Sequence, residues 1–132
     1  MIYLTPSKLA ARMTLRMCYY DRNRITEEQV KAYAVPISSR AGRHALLQTG
    51  RQCIPANADE LIEQLTTISV PTFILWGRDD KVIPLKVGHL LNKLIPNSTL
   101  EVIDDCGHVP QEEKPEETVA RISRFLAASR VA

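Results

Sequence analysis

The spacing of apolar residues along the chain changes near residue 68. Within residues 1–67 apolar positions recur every three or four residues, which is the spacing of amphipathic helices. Within residues 68–132 a short continuous apolar run, 72–76, and a second segment that is mostly apolar, 99–103, are each followed by a stretch with helical spacing. The sequence therefore predicts two parts: a helical segment over 1–67 and a strand–helix–strand–helix portion over 68–132.

The first predicted helix begins at Pro6, a residue suited to the first position because it lacks an N–H group, and Thr5 is its expected cap. The first twenty residues include basic residues and no acidic residue, which is also the composition of a transit peptide. Nothing resembling a cleavage site follows, so a structural helix is favoured. Its buried face is predicted to carry four large side chains: Leu9, Met13, Met17 and Tyr20.

Three further helices are predicted before residue 68. The pattern Thr26-Glu-Glu-Gln29 is a capping box, in which the two end residues satisfy each other's backbone N–H groups. The helix that it opens is expected to stop at Val35, just ahead of a proline. A third helix is predicted over residues 41–53, and a fourth begins at Asn57.

The two apolar runs are predicted to be strands of one parallel sheet. The run 72–76 is continuous rather than alternating, as expected for a strand covered on both faces. A helix over residues 85–94 joins the two runs, so the strands must be parallel and the crossover right-handed. Its inward residues are predicted to be Val87, Leu90, Leu91 and Leu94. A last helix is predicted to begin at Pro115, with Val119, Ile122, Phe125 and Leu126 facing inward.

Composition excludes several classes of function. The net charge is +2, and no cluster of lysine and arginine suggests a nucleic-acid partner or an anionic membrane. No apolar stretch approaches the length of a membrane span. The three cysteines, Cys18, Cys53 and Cys106, are an odd number and widely spaced, so neither a disulfide framework nor a zinc site is expected. A cytoplasmic location is expected, with each cysteine acting as a small apolar side chain.

Polar residues follow both predicted strands. The first strand runs into Gly77-Arg-Asp-Asp80, and the second runs into Asp104-Asp-Cys-Gly-His108. Neighbouring strands lie about 5 Å apart, so a carboxylate after one strand can reach an imidazole after the other. A carboxylate bound to one ring nitrogen fixes the tautomer and leaves the other nitrogen free as a base. Asp80 and His108 are therefore predicted to form an acid–histidine pair.

A divalent-metal site is an alternative explanation of the same strand ends. Asp79, Asp104 and Asp105 could crowd there with the predicted pair, and clustered carboxylates suit hard cations. The acid–histidine pair accounts for Asp80 and His108 with fewer assumptions, so no metal ligands are predicted and Asp79 is interpreted as a turn residue.

Two sequence blocks resemble those of the α/β-hydrolases. Val70–Pro84 resembles an apolar strand followed by G-x-x-D-x-x-x-P, and Gly107–Glu117 resembles the histidine block that precedes the final helix of that family. Position by position, Asp80 falls on the triad acid and His108 on the triad histidine. The resemblance implies that 68–132 is the C-terminal βαβα part of the α/β-hydrolase parallel sheet. Residues 1–67 resemble more loosely the helical cap of the family.

The resemblance also implies a function for a longer parent protein. Such a parent would hydrolyse an ester or a related acyl or carbon–carbon bond of a small-molecule substrate, without any cofactor. The family nucleophile lies in G-x-S-x-G, but no two of the five glycines in this chain are four residues apart. The chain is therefore expected to be a C-terminal portion, a reading frame with a late start or a natural short protein, and to be inactive alone. A non-catalytic interaction module is the alternative function.

A homo-oligomer is expected from the first strand. In the family this strand is paired on both sides, but the earlier partner strand has no counterpart in this sequence. The run 72–76 carries no charge, whereas natural strand edges are usually protected by charge, proline or a bulge. Two copies are therefore expected to pair these edges.

Other polar residues are given structural interpretations. His44 and His89 fall on helical patterns and are predicted to be surface histidines. Glu112 and Glu113 precede the helix start at Pro115 and are predicted to be solvated charges. Trp76 is predicted to belong to the core or, alternatively, to line a pocket.

Overall fold

The computed structural model describes residues 5–53 and 56–129. Within these residues the chain forms seven α-helices, two 3-10 turns and one two-stranded sheet. The elements, in chain order, are α1 Ser7–Cys18, a 3-10 turn Arg22–Arg24, α2 Glu27–Ala34, a 3-10 turn Pro36–Ser38, α3 Arg40–Gln52, α4 Ala58–Leu65, β1 Thr72–Gly77, α5 Leu85–Leu94, β2 Ser98–Ile103, α6 Pro110–Glu113 and α7 Pro115–Ser129.

The predicted βαβα arrangement is confirmed. Strands β1 and β2 are parallel neighbours, in a register that runs from Thr72 opposite Ser98 to Gly77 opposite Ile103. Helix α5 connects them, as expected for a parallel pair. The prediction that β1 is buried on both faces is wrong. Only Ile74 and Gly77 of this strand are buried, and its other four residues are half-buried.

Helices α1 and α2 pack around a small core of their own. Its buried members are Ala11, Leu15, Tyr19, Val30 and Ala34. The four large residues predicted for the buried face of α1 are instead exposed: Leu9, Met13, Met17 and Tyr20. The stripe of α1 that faces this core carries Ala11 and Leu15, and Tyr19 follows one turn later. The Thr5 cap is also wrong, since Pro6 directly precedes the helix without a side-chain cap.

The predicted capping box of α2 is confirmed. The Thr26 hydroxyl accepts the N–H of Gln29 at 3.1 Å, and the Gln29 side-chain oxygen accepts the N–H of Thr26 at 2.8 Å. Helix α2 ends at Ala34, and the next 3-10 turn begins at the proline after Val35. The Gln29 amide also donates to the Tyr19 hydroxyl at 2.7 Å, so the cap residue ties α2 to α1.

Helix α7 begins at Pro115 as predicted, but its buried face differs from the prediction. Phe125 is half-buried and stacks on Phe73 of β1, with ring centroids 5.1 Å apart. Arg121 turns toward the sheet because it donates to Glu101 of β2 at 2.8 Å. The other residues predicted to face inward are exposed: Val119, Ile122 and Leu126.

Helix α5 follows its predicted bounds, and part of its predicted face is correct. Val87, Leu91 and Leu94 are half-buried, whereas Leu90 is exposed. Gly88 of α5 lies against the sheet, since a Cβ added there would lie 3.0 Å from the Trp76 indole. In the described part of the chain, no helix is both long enough and apolar enough to cross a membrane.

Candidate active site

The predicted acid and histidine meet at the carboxyl ends of the two strands. Asp80 follows β1 and His108 follows β2, and the parallel register places both loops at the same edge of the sheet. His108 Nδ1 lies 2.8 Å from Asp80 Oδ2, which is hydrogen-bond distance. The predicted contact between these two side chains is therefore confirmed.

The Asp80 carboxylate is held by its own loop. Its Oδ1 accepts the backbone N–H groups of Val82 at 2.8 Å and Ile83 at 2.9 Å. The side chain is only 4% exposed, so water contributes little to its solvation. Because Oδ1 accepts the two N–H groups of the loop, Oδ2 is left to accept a hydrogen bond from His108.

The backbone of His108 is hydrogen-bonded to the end of α1, and its ring borders an open cavity. Its backbone N–H donates to the carbonyl oxygen of Cys18 at 2.6 Å, and its side chain is 33% exposed. With its proton on Nδ1 and donated to Asp80, the neutral ring would carry its lone pair on Nε2. Nε2 has no hydrogen-bond partner among residues 5–53 and 56–129. The ring borders a cavity of about 160 Å³, which is lined by Leu75, Trp76, Gly77, Asp80, His108 and Pro110.

The glycines of the two sequence blocks allow three backbone segments to lie in contact. A Cβ added to Gly77 would overlap the carbonyl oxygen of Gly107. Gly107 belongs to the histidine loop, residues 104–109 between β2 and α6. A Cβ added to Gly107 would overlap the carbonyl oxygen of Cys18 and lie 2.9 Å from the nitrogen of Tyr20. Each glycine is therefore required for close approach, and together they bring the end of β1, the histidine loop and the end of α1 together.

Glu112 and Glu113 are not solvated charges, so that prediction is wrong. They lie in α6, a short helix that the sequence did not predict, and α6 packs them against α1 and the residues that follow it. Glu112 is half-buried and accepts hydrogen bonds from the hydroxyls of Tyr19, at 2.8 Å, and Tyr33. Glu113 is fully buried and accepts three backbone N–H groups, from Tyr20, Asp21 and Gly107.

The other aspartates at the strand ends do not join the pair. Asp104 forms an exposed ion pair with Arg78, which holds the pKa of that carboxyl below its ordinary value. Asp105 is exposed and has a left-handed backbone, with φ 50°. Across the residues that the structure describes, no group of three or more histidine, cysteine or acidic side chains could hold a metal ion.

Cys106 lies two residues before His108 but is not suited to be a nucleophile. It is fully buried, and burial raises the pKa of its thiol to about 11, so the thiol is neutral near pH 7. Trp76 lines the cavity, and its indole N–H donates to the carbonyl oxygen of Ile83 at 3.1 Å. His44 and His89 are exposed, which confirms them as surface histidines.

A carboxylate-bound histidine at the carboxyl ends of parallel strands is the acid–base half of a site typical of α/β hydrolytic enzymes. Comparison with known proteins supports this class. Residues 8–115 match the family model described as the alpha/beta hydrolase fold. The chain belongs to the α/β-hydrolase family.

Individual relatives are hydrolases by name. The chain is 30% identical over 128 residues to 2-hydroxy-6-oxononadienedioate/2-hydroxy-6-oxononatrienedioate hydrolase 2 of Pseudomonas putida, a match that covers 95% of this chain and 44% of that protein. It is 41% identical over 68 residues to monoacylglycerol lipase ABHD6 of Mus musculus, covering 52% of this chain and 20% of that protein.

A solved structure shows the same fold. A mutant of the meta-cleavage product hydrolase from Pseudomonas fluorescens superposes with a TM-score of 0.78 at 24% identity, covering 96% of this chain and 48% of that one. The chain therefore spans less than half the length of these relatives.

Proposed function

We propose that this chain supplies the acid and the histidine of a catalytic triad in an α/β-hydrolase. The observation that carries the proposal is the 2.8 Å contact between Asp80 Oδ2 and His108 Nδ1, in a histidine that lines a cavity. Asp80 orients the ring and stabilises the imidazolium that forms during the reaction. His108 takes a proton from the nucleophile and later returns it to the leaving group.

The nucleophile of this triad is proposed to be a serine that lies outside the present sequence, in a longer parent protein. No G-x-S-x-G occurs in the 132 residues, and the buried Cys106 thiol is neutral. A base without a nucleophile to activate forms no acyl intermediate. The isolated chain is therefore expected to be inactive.

The proposed substrates of the parent are small molecules with an ester or a related acyl or carbon–carbon bond next to a carbonyl group. The names of the relatives, which include a lipase of monoacylglycerols and a hydrolase of 2-hydroxy-6-oxononadienedioate, support this range. No cofactor is required for the proposed steps. Residues 1–67 are proposed to act as the helical cap, and the number and spacing of the cysteines favour a reducing compartment such as the cytoplasm.

The proposal is tested by replacing the carboxylate of Asp80 with a carboxamide in the parent protein. Asp80→Asn is expected to lower kcat by about 10⁴, the effect of the same change in another serine triad. Asp79→Asn is the matched control, because Asp79 is adjacent and its carboxylate makes no hydrogen bond within the described chain. A parent that keeps its activity with Asp80→Asn, or that loses it equally with Asp79→Asn, would remove Asp80 from the triad.

A second experiment tests the isolated chain. Its hydrolysis of a p-nitrophenyl ester is expected to equal that of buffer, because the chain lacks a nucleophile. Turnover that disappears on His108→Ala would show that the chain carries a nucleophile of its own.

Self-association of the chain is a further part of the proposal. Among the described residues β1 pairs on one side only, and its sequence from Thr72 to Trp76 carries no charge. A second copy could pair with the open edge and extend the sheet to four strands. Light scattering is expected to give a dimer at high micromolar concentration. A monomer with fast amide exchange along residues 72–76 would contradict this part.

A further inference from the structure

Glu113 is a fully buried carboxylate that the proposed chemistry does not use. Its Oε2 accepts the N–H groups of Gly107 at 2.7 Å and Tyr20 at 3.1 Å, and its Oε1 accepts the N–H of Asp21 at 2.6 Å. Burying a carboxylate is unfavourable unless hydrogen bonds replace its hydration. Two separate backbone segments, the histidine loop and residues 20–21, provide these bonds.

The histidine loop is attached to the end of α1 at two successive residues. The N–H of Gly107 donates to Glu113, and the N–H of His108 donates to the carbonyl oxygen of Cys18. Because Glu113 also binds the N–H groups of residues 20–21, the hydrogen bonds close a ring through both segments. The absent side chain of Gly107 leaves room for this contact, since a Cβ there would overlap Cys18.

We propose that Glu113 is a positioning residue, which fixes the backbone at His108 so that Nδ1 lies opposite Asp80. The ring itself is partly exposed, so its position depends on where the backbone places it. A displacement of about 1 Å is enough to break a hydrogen bond or to cost a large part of catalysis. The importance of this placement for catalysis rests on the proposed function, whereas the placement itself can be measured on this chain without any catalysis.

Glu112 provides a matched control for Glu113. It is the neighbouring residue, has the same side chain and also accepts hydrogen bonds in the same part of the molecule. Its donors are the hydroxyls of Tyr19 and Tyr33, and it makes no hydrogen bond to the histidine loop within the described chain. A change at Glu112 therefore loosens α1, α2 and α6 without releasing the backbone before His108.

The test compares the wild-type chain with Glu113→Gln and Glu112→Gln by NMR. Glutamine keeps the shape of glutamate, but one oxygen becomes an NH₂ group that cannot accept a hydrogen bond. The wild-type chain is expected to show a downfield proton on Nδ1 of His108, bound to Asp80. Glu113→Gln should lose this signal and speed amide exchange at Gly107 by roughly tenfold or more, and Glu112→Gln should retain both.

A purely structural role would give a different result. Glu113→Gln would then lower the free energy of unfolding about as much as Glu112→Gln and keep the Nδ1 proton, which would overturn the proposal. If Glu113→Gln does not fold, amide exchange in the wild-type chain is used instead to test whether Glu113 holds the histidine loop. Protection at Tyr20, Asp21 and Gly107 by a common factor supports the proposal, and an unprotected Gly107 contradicts it. None of these measurements needs turnover, so loss of the proposed hydrolase function would leave their outcome unchanged.

Discussion

The α1–α2 region and the sheet region differ in where their apolar side chains lie. In α1 and α2 a compact set is buried, with Leu15 only 1% exposed. In the sheet region the apolar face of α7 is largely open, with Leu126 52% exposed. Yet the sheet region carries the acid–histidine pair. The two regions are nevertheless connected at the site, because the histidine loop of the sheet region is hydrogen-bonded to the end of α1.

Substitution of one leucine in each region should expose this difference most strongly. Leu15→Ala is expected to lower the free energy of unfolding by about 3 kcal/mol, because it leaves a cavity between α1 and α2. Leu126→Ala is expected to change it by less than about 0.5 kcal/mol, since the side chain is largely solvated. Urea unfolding of both variants measures the two values. Equal losses would show that Leu126 is covered in solution, and the contrast between the regions would fail.

Substitutions at two glycines test how much the contact between the two regions contributes to stability. Gly107→Ala is expected to lower the free energy of unfolding by about 2 kcal/mol, because the new Cβ would overlap the backbone of Cys18. Gly50→Ala should raise it by about 1 kcal/mol, because Gly50 lies within α3 and an added Cβ meets no other part of the described chain within 4 Å. Thermal or urea unfolding separates them. A stabilising Gly107→Ala would mean that the histidine loop is not packed against α1.

The smallest expected effect is a pH dependence of the helical region. The hydrogen bond to Glu112, with some burial, raises the pKa of Tyr33 from 10.0 to about 12. A raised pKa in the folded chain contributes stability that is complete below pH 10 and is lost as the pH rises through about 12. Tyr33→Phe should therefore lose less stability than the wild-type chain between these values. Parallel curves of unfolding free energy against pH for the two proteins would contradict this.

The acid–histidine pair could be predicted from the sequence because it depends on local patterns. Each partner follows directly after an apolar strand, and parallel neighbours bring their carboxyl ends together. The capping box at Thr26 and the start of α7 at Pro115 were predictable for the same reason, since their signals lie within a few residues.

The role of Glu113 could not be predicted, because its partners are distant in the sequence. Two of its three donors, Tyr20 and Asp21, are 93 and 92 residues away. A glutamate just before a helix is ordinarily solvated, and no local pattern marks this one as buried. The burial of Glu113 could be predicted only after the end of α1 had been placed beside the histidine loop.

The buried face of α1 was mispredicted for a related reason. Helical spacing fits two stripes on this helix, and hydrophobicity favours the one with the larger residues, such as Met13 and Met17. The buried stripe is instead that of Ala11, Leu15 and Tyr19, which packs against α2. Which stripe is buried depends on the partner helix, and periodicity does not contain that information.

The tautomer of His108 tests the central claim, a preformed acid–histidine pair, most directly. Two-bond ¹H–¹⁵N spectra of the isolated chain at a pH where the ring is neutral show which nitrogen carries the proton. We expect the proton on Nδ1, bound to Asp80, and a free Nε2 able to act as a base. Asp80→Asn is expected to move the proton to Nε2, because the asparagine amide can donate to Nδ1. A wild-type ring that already carries its proton on Nε2 would contradict the account.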